Sequence, residues 1–314
     1  MNEKKKNEIR WAVFVPAFAL TLLAAVVGIV SNKTLTTLSN RFFTWSLDSF
    51  GWLYQIISLV VLLVTLVMLF SKVGDITLGG KEAKPKYPFW TWFAMTLTGG
   101  VATGIVSWGV NEPLIYFGNI YGELKQLGIE PFSAEAARFA IGRCFYNWTF
   151  IPYAMYALTG VLVAYMYFNK KQQLNVTSTL VPLFGEKIKT GFVSDVIDTL
   201  SMLAIILGLT SGLTMCIVLL TTGLTSSYGI PSTLPLFIGL GVAIIAMFTL
   251  SSYVGLDKGL QKLSGINAWF YYGLLILLFV LGPTLFILRN STAGMAVWLQ
   301  NFWQWGLDPI DIGG

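Results

Sequence analysis

Trp108, Glu112 and Tyr116 follow one another at four-residue spacing, which puts a carboxylate between two aromatic rings on one helical stripe. Further on, Trp148, Tyr153 and Tyr156 project within roughly 140° of one helical face, with Pro152 among them to bend the helix. An aromatic face attracts a cation by about 0.5–2 kcal/mol, and it does so even when the cation has no N–H to donate. The chemistry of these residues is therefore recognition of a small cation. Each aromatic also has a plain structural reading, as a packed or lipid-facing ring in a chain that is 15% aromatic. Glu112 has two readings. It faces a substrate or ion path, or it pairs with Arg138 or Arg143 on the next span. The pair is favoured, because a lone carboxylate at membrane depth is costly.

Bond-breaking chemistry has little to work with. The chain has no histidine, which removes the commonest metal ligand and general base. It carries no Walker loop, catalytic triad or metal cluster, so an enzyme is not expected. Cys144 and Cys216 lie in apolar surroundings and read as buried free thiols. Asp195 and Asp198 open the fifth span, where negative charge suits a helix N-terminus.

The elements that hold these residues are membrane spans. Hydrophobic residues make up 55% of the 314, charged residues 11%, and the mean hydropathy is +0.70, outside the habits of soluble domains. Seven stretches reach the roughly 20 residues that cross a hydrocarbon core: 11–30, 50–70, 89–117, 136–168, 193–220, 233–253 and 264–288. The first is too long for a signal peptide. Segments 31–49 and 291–305 carry tryptophans among polar residues and read as interfacial. In the third span, Gly99-Gly100-Val101-Ala102-Thr103-Gly104 should break the helix, and irregular backbone at that depth points to a midplane site. The net charge of +5 comes from residues scattered among loops, which does not suit nucleic acid. Lys4, Lys5, Lys6 and Arg10, then Lys72, Lys81, Lys84 and Lys86, then Lys170, Lys171, Lys187 and Lys189, then Lys258 and Lys262 fall on one side of the membrane. That bias puts the N-terminus in the cytoplasm.

The run Trp92–Tyr116, with Trp108-Gly109 and Glu112-Pro113, resembles the third helix of the betaine/choline/carnitine transporter family. Phe145-Tyr146-Asn147-Trp148, Pro152-Tyr153 and Tyr156 resemble its fourth helix. Ser178-Thr179-Leu180-Val181-Pro182-Leu183 with Gly185-Glu186-Lys187 resembles the loop that follows. Gly255-Leu256-Asp257-Lys258-Gly259, Asp308-Pro309 and Gly313-Gly314 resemble later landmarks. The resemblance implies an all-α fold of the leucine-transporter type, with two preliminary helices and two inverted five-helix repeats. This chain then divides into a tail (1–10), the preliminary helices (11–88), the first repeat (89–290) and an interfacial segment (291–314) leading to a second repeat it does not contain. On that expectation the chain by itself does not accumulate betaine.

The implied activity is secondary transport of quaternary ammonium compounds such as glycine betaine, choline or carnitine, in the plasma membrane. Trp108, Trp148, Tyr153 and Tyr156 are the implied substrate contacts, with Tyr153 standing where some members have Trp. Sodium is the implied cation, on Thr210, Ser211 and Thr214 and on the third helix from Met95 to Thr98; Asn267 stands near the place where sodium-independent members carry arginine. The implied partners are lipid, a homotrimer and, for a split protein, the second half. A non-transporting remnant, a split subunit and a sodium-independent carnitine-type antiporter remain as alternatives. A seven-helix retinal protein is disfavoured, because no lysine lies within the last span.

Overall fold

The computed structural model describes residues 9–254 and 259–307, without the side chains of residues 99–106, 252 and 254. Lys4, Lys5, Lys6, the Gly255–Lys258 landmark and the Asp308–Gly314 stretch therefore lie outside the described residues. Among the described residues the protein is helical, without strands. Its elements are α1 (Trp11–Val30), α2 (Asn32–Phe70), α3 (Phe89–Phe117), α4 (Glu123–Gln126), α5 (Ala134–Trp148), α6 (Phe150–Phe168), α7 (Val181–Phe184), α8 (Phe192–Tyr228), α9 (Leu234–Val254), α10 (Gln261–Leu281) and α11 (Thr284–Leu307). Six stretches, namely α1, α2, the α5–α6 run, α8, α9 and α10, are long and apolar enough to cross a membrane. The remaining expected span, 89–117, is the 29-residue helix α3. Leucines such as Leu281 and Leu69 face outward, an arrangement that needs lipid as the solvent. The protein is a polytopic helical membrane protein.

The spans differ from the sequence expectation in four places. The glycine run does not break α3, which is one helix from Phe89 to Phe117. Each interior glycine costs about 1 kcal/mol against Ala, less than the several kcal/mol of an unsatisfied backbone group in hydrocarbon. The break falls instead in the fourth span, at Thr149, whose φ of −102° and ψ of −107° separate α5 from α6. Pro152 explains it. In a continuous helix its ring would meet the carbonyl of Trp148, four residues back, and it has no N–H to give that carbonyl. Segment 31–49 is the first half of the 39-residue α2. The seventh span ends at Leu281, before Gly282-Pro283, and a single helix then runs through position 290 to Leu307.

Polar contacts gather the basic loops on one face. Arg10, just before α1, donates to Ser194 Oγ (2.6 Å), Asp195 Oδ1 (2.7 Å) and Asp198 Oδ2 at the start of α8. Asp198 also accepts from Asn175 Nδ2 (2.8 Å) and from the Thr177 hydroxyl (2.7 Å) and amide (3.2 Å). The two aspartates thus serve Arg10 and the loop after α6; no side chain caps the N-terminus of α8. Asn169, at the end of α6, accepts from the Gly79 amide (2.8 Å) and donates to the Thr77 carbonyl (3.1 Å). The N-terminal segment, the loop after α2 and the loop after α6 therefore share a side, as the lysine pattern requires.

On α5 and α11, glycines set a close crossing. A Cβ on Gly142 would lie 3.2 Å from the Gly294 carbonyl, and one on Gly294 would collide with Ile141. Beside this crossing Phe139, Trp298 and Trp305 form the buried cluster with Leu124 and Ala136. We expect Gly294→Ala to lower stability by about 1–3 kcal/mol through overpacking, whereas Gly160→Ala, which faces open space, should cost nothing; thermal unfolding in detergent compares the two. Arg10→Ala leaves the nearly buried Asp198 without its counter-charge. It should release the loop carrying Lys187 and Lys189, read as several-fold faster tryptic cleavage there.

Candidate functional site

The site forms where the C-terminal half of α3 packs on α5. Glu112, one helical turn after Trp108, is 8% exposed. Its Oε1 accepts from Asn147 Nδ2 at 2.6 Å, and its Oε2 accepts from the indole Nε1 of Trp148. Asn147 Nδ2 donates also to the Tyr116 hydroxyl at 3.0 Å. Both carboxylate oxygens are therefore satisfied by side chains of the next helix, and the Trp148 ring is held by its edge.

The expected pairing of Glu112 with arginine is not what the structure shows among the described residues. Arg143 lies over rings, with its Cζ 5.8 Å from the centre of Tyr116, 5.3 Å from Tyr146 and 5.0 Å from Trp305. Arg138 lines a separate cavity of about 460 Å³ with Glu135, Asn301 and Trp305. Asn147 and Trp148 supply the donors nearest to Glu112, and a guanidinium is drawn to an aromatic face instead.

Two cavities meet at this contact. One, of about 350 Å³, is lined by Trp108, Glu112, Tyr116, Asn147 and Trp148, with Tyr121 at its exposed rim. The other, of about 310 Å³, is lined by Trp108, Gly109, Glu112, Cys144, Phe145 and Trp148. Trp108, Glu112 and Trp148 belong to both, so the hydrogen-bonded Glu112–Trp148 pair stands between them. These half-open cavities present the rings of Trp108 and Trp148 beside a carboxylate whose two oxygens are already engaged.

Tyr153 and Tyr156 do not line either cavity. They sit on α6, beyond the break, and are 45% and 67% exposed. A 3.6-residue period counted across Thr149 fails there, because the helix does not keep its phase through the break. Thr210, Ser211 and Thr214 are exposed on α8. The Thr210 hydroxyl donates to the Ile206 carbonyl (2.7 Å) and that of Thr214 to the Thr210 carbonyl (2.9 Å), which leaves their oxygens able to accept a cation. Met95 is half-buried on α3 and Asn267 is exposed on α10. Cys144 and Cys216 are free and half-buried. Asn147 and Tyr121 are the site residues that sequence reasoning passed over. An asparagine inside an apolar span, next to a tryptophan, was the available signal, since its amide has to be satisfied from within the protein.

The sequence profile of the BCCT family, betaine/carnitine/choline family transporters, matches residues 12–311. An ectoine/hydroxyectoine transporter of Virgibacillus pantothenticus is 30% identical over 92% of this chain and 56% of its own length. A probable glycine betaine transporter of Desulfitobacterium hafniense is 30% identical over 96% and 58%. A glycine betaine/proline/choline transporter of Vibrio parahaemolyticus is 31% identical over 90% and 54%. The chain thus spans a little over half the length of these curated relatives.

Removing the amide that satisfies Glu112 should be felt in stability. Asn147→Leu leaves Glu112 Oε1 and the Tyr116 hydroxyl without that donor, at an expected cost of about 1–3 kcal/mol, read as a lower unfolding temperature in detergent.

Proposed function

Because the chain belongs to the betaine/carnitine/choline transporter family, we propose that it carries the first-repeat half of a substrate site for quaternary ammonium compounds in a secondary transporter of the plasma membrane. The observation that carries this reading is the pair of cavities lined by the rings of Trp108 and Trp148, with Glu112 between them. A quaternary ammonium ion has no N–H, so aromatic faces are what a dry site can offer it. The named relatives include carriers of glycine betaine and of choline, which supports the same substrate class.

The coupling ion in this reading is sodium, held by the hydroxyl oxygens of Thr210, Ser211 and Thr214 with backbone of α3 near Met95. The N-terminus is cytoplasmic in this reading, because the basic loops share one face and lysine-rich loops are retained inside. Lipid surrounds the spans. A homotrimer, with the second five-helix repeat completing each transport unit, is the proposed assembly.

Radioligand binding in lipid nanodiscs tests the substrate class. Trp148→Ala should weaken binding of choline or glycine betaine about 5–30-fold, or about 1–2 kcal/mol. Trp148→Phe should lose less, since a ring face remains. Unchanged affinity in a folded Trp148→Ala protein would remove this residue from the site. Replacing sodium by potassium in the same assay should weaken binding; equal binding in both salts would remove sodium from the proposal.

A further inference from the structure

We propose that Glu112 is a positioning residue for substrate recognition, acting through the indole N–H of Trp148 rather than on the substrate itself. The inference rests on the reading of Trp148 as a substrate contact. A cation–π contact depends on which way the ring face points, so a tryptophan in such a site must be held in one orientation. Trp148 is 37% exposed and is followed by the broken residue Thr149, so neither deep packing nor the next helical turn holds it firmly. What fixes its edge is Oε2 of Glu112. Glu112 is in turn held by Asn147, whose amide bridges Oε1 and the Tyr116 hydroxyl. The carboxylate is fully engaged by these donors, and Trp148 stands with it between the two cavities. A buried acceptor pair on α3 thereby sets the aim of a ring on α5.

A double-mutant cycle with choline and glycine betaine as radioligands decides the matter. Glu112→Met keeps the length of the side chain and removes both acceptors. In the Trp148 protein it should raise Kd several-fold, up to the 5–30-fold expected for loss of the ring. In the Trp148→Phe background, where no indole N–H exists, it should leave Kd unchanged. Glu112→Gln keeps one acceptor and should fall between wild type and Met. If the Met variant does not fold, the Gln variant carries the same two-background comparison. An equal rise in both backgrounds, or no rise beside Trp148, would overturn the inference by showing that Glu112 acts on the ligand directly or not at all. A different result, unchanged affinity in Trp148→Ala, overturns the substrate reading of Trp148 and this inference with it. The thermal stability of each variant is measured alongside, because a purely structural role lowers stability equally in both backgrounds without the coupling in Kd.

Discussion

A buried carboxylate has to be satisfied by the protein around it, and the site takes its shape from how Glu112 meets that requirement. Glu112 is almost wholly buried, so little water reaches it, and an unmet buried polar group is costly. The donors come from α5, where Asn147 and Trp148 are consecutive residues. Satisfying Glu112 therefore docks α3 on α5, orients an indole and draws Tyr116 into the same network. The two cavities share Trp108, Glu112 and Trp148 in their linings.

The same need for satisfied backbone explains where the helices break. Glycines weaken a helix but keep their N–H groups, so α3 passes through its glycine run intact. Proline removes an N–H and adds a clash, so Pro152 ends α5 at Trp148 and restarts the chain as α6. Thr149 eases the break by donating its hydroxyl back to the Phe145 carbonyl at 2.5 Å. The break separates Trp148 from Tyr153 and Tyr156 and leaves the two tyrosines on the outer surface of α6.

On the opposite face, a few charged side chains do the organising. Arg10 ties the start of α1 to the start of α8, and Asp198 passes the tie on to Asn175 and Thr177. The lysines of this face stay at its surface. Glu186 pairs there with Lys189, and this hydrogen bond holds its carboxyl below the usual carboxylate range. The close crossing of α5 and α11 is set by shape instead, through Gly142 and Gly294 and the tryptophans beside them.

The sequence by itself determined the class of the protein and the order of its long apolar helices, and it placed the N-terminal segment and the loops after α2 and α6 on a common face. Those properties follow from composition and from periods that are local to each span, which hydrocarbon enforces segment by segment. It also marked Trp108, Glu112 and Trp148 as residues worth attention. Only the tertiary structure decided the partners. Glu112 met Asn147 and Trp148 rather than Arg138 or Arg143, because the choice among donors on a facing helix depends on rotation and depth, which no spacing rule encodes. Arg143 went to the rings of Tyr116, Tyr146 and Trp305, and Asp198 went to Arg10, 188 positions away in the chain. Contacts between segments so far apart are settled by packing, and packing is a property of the folded whole.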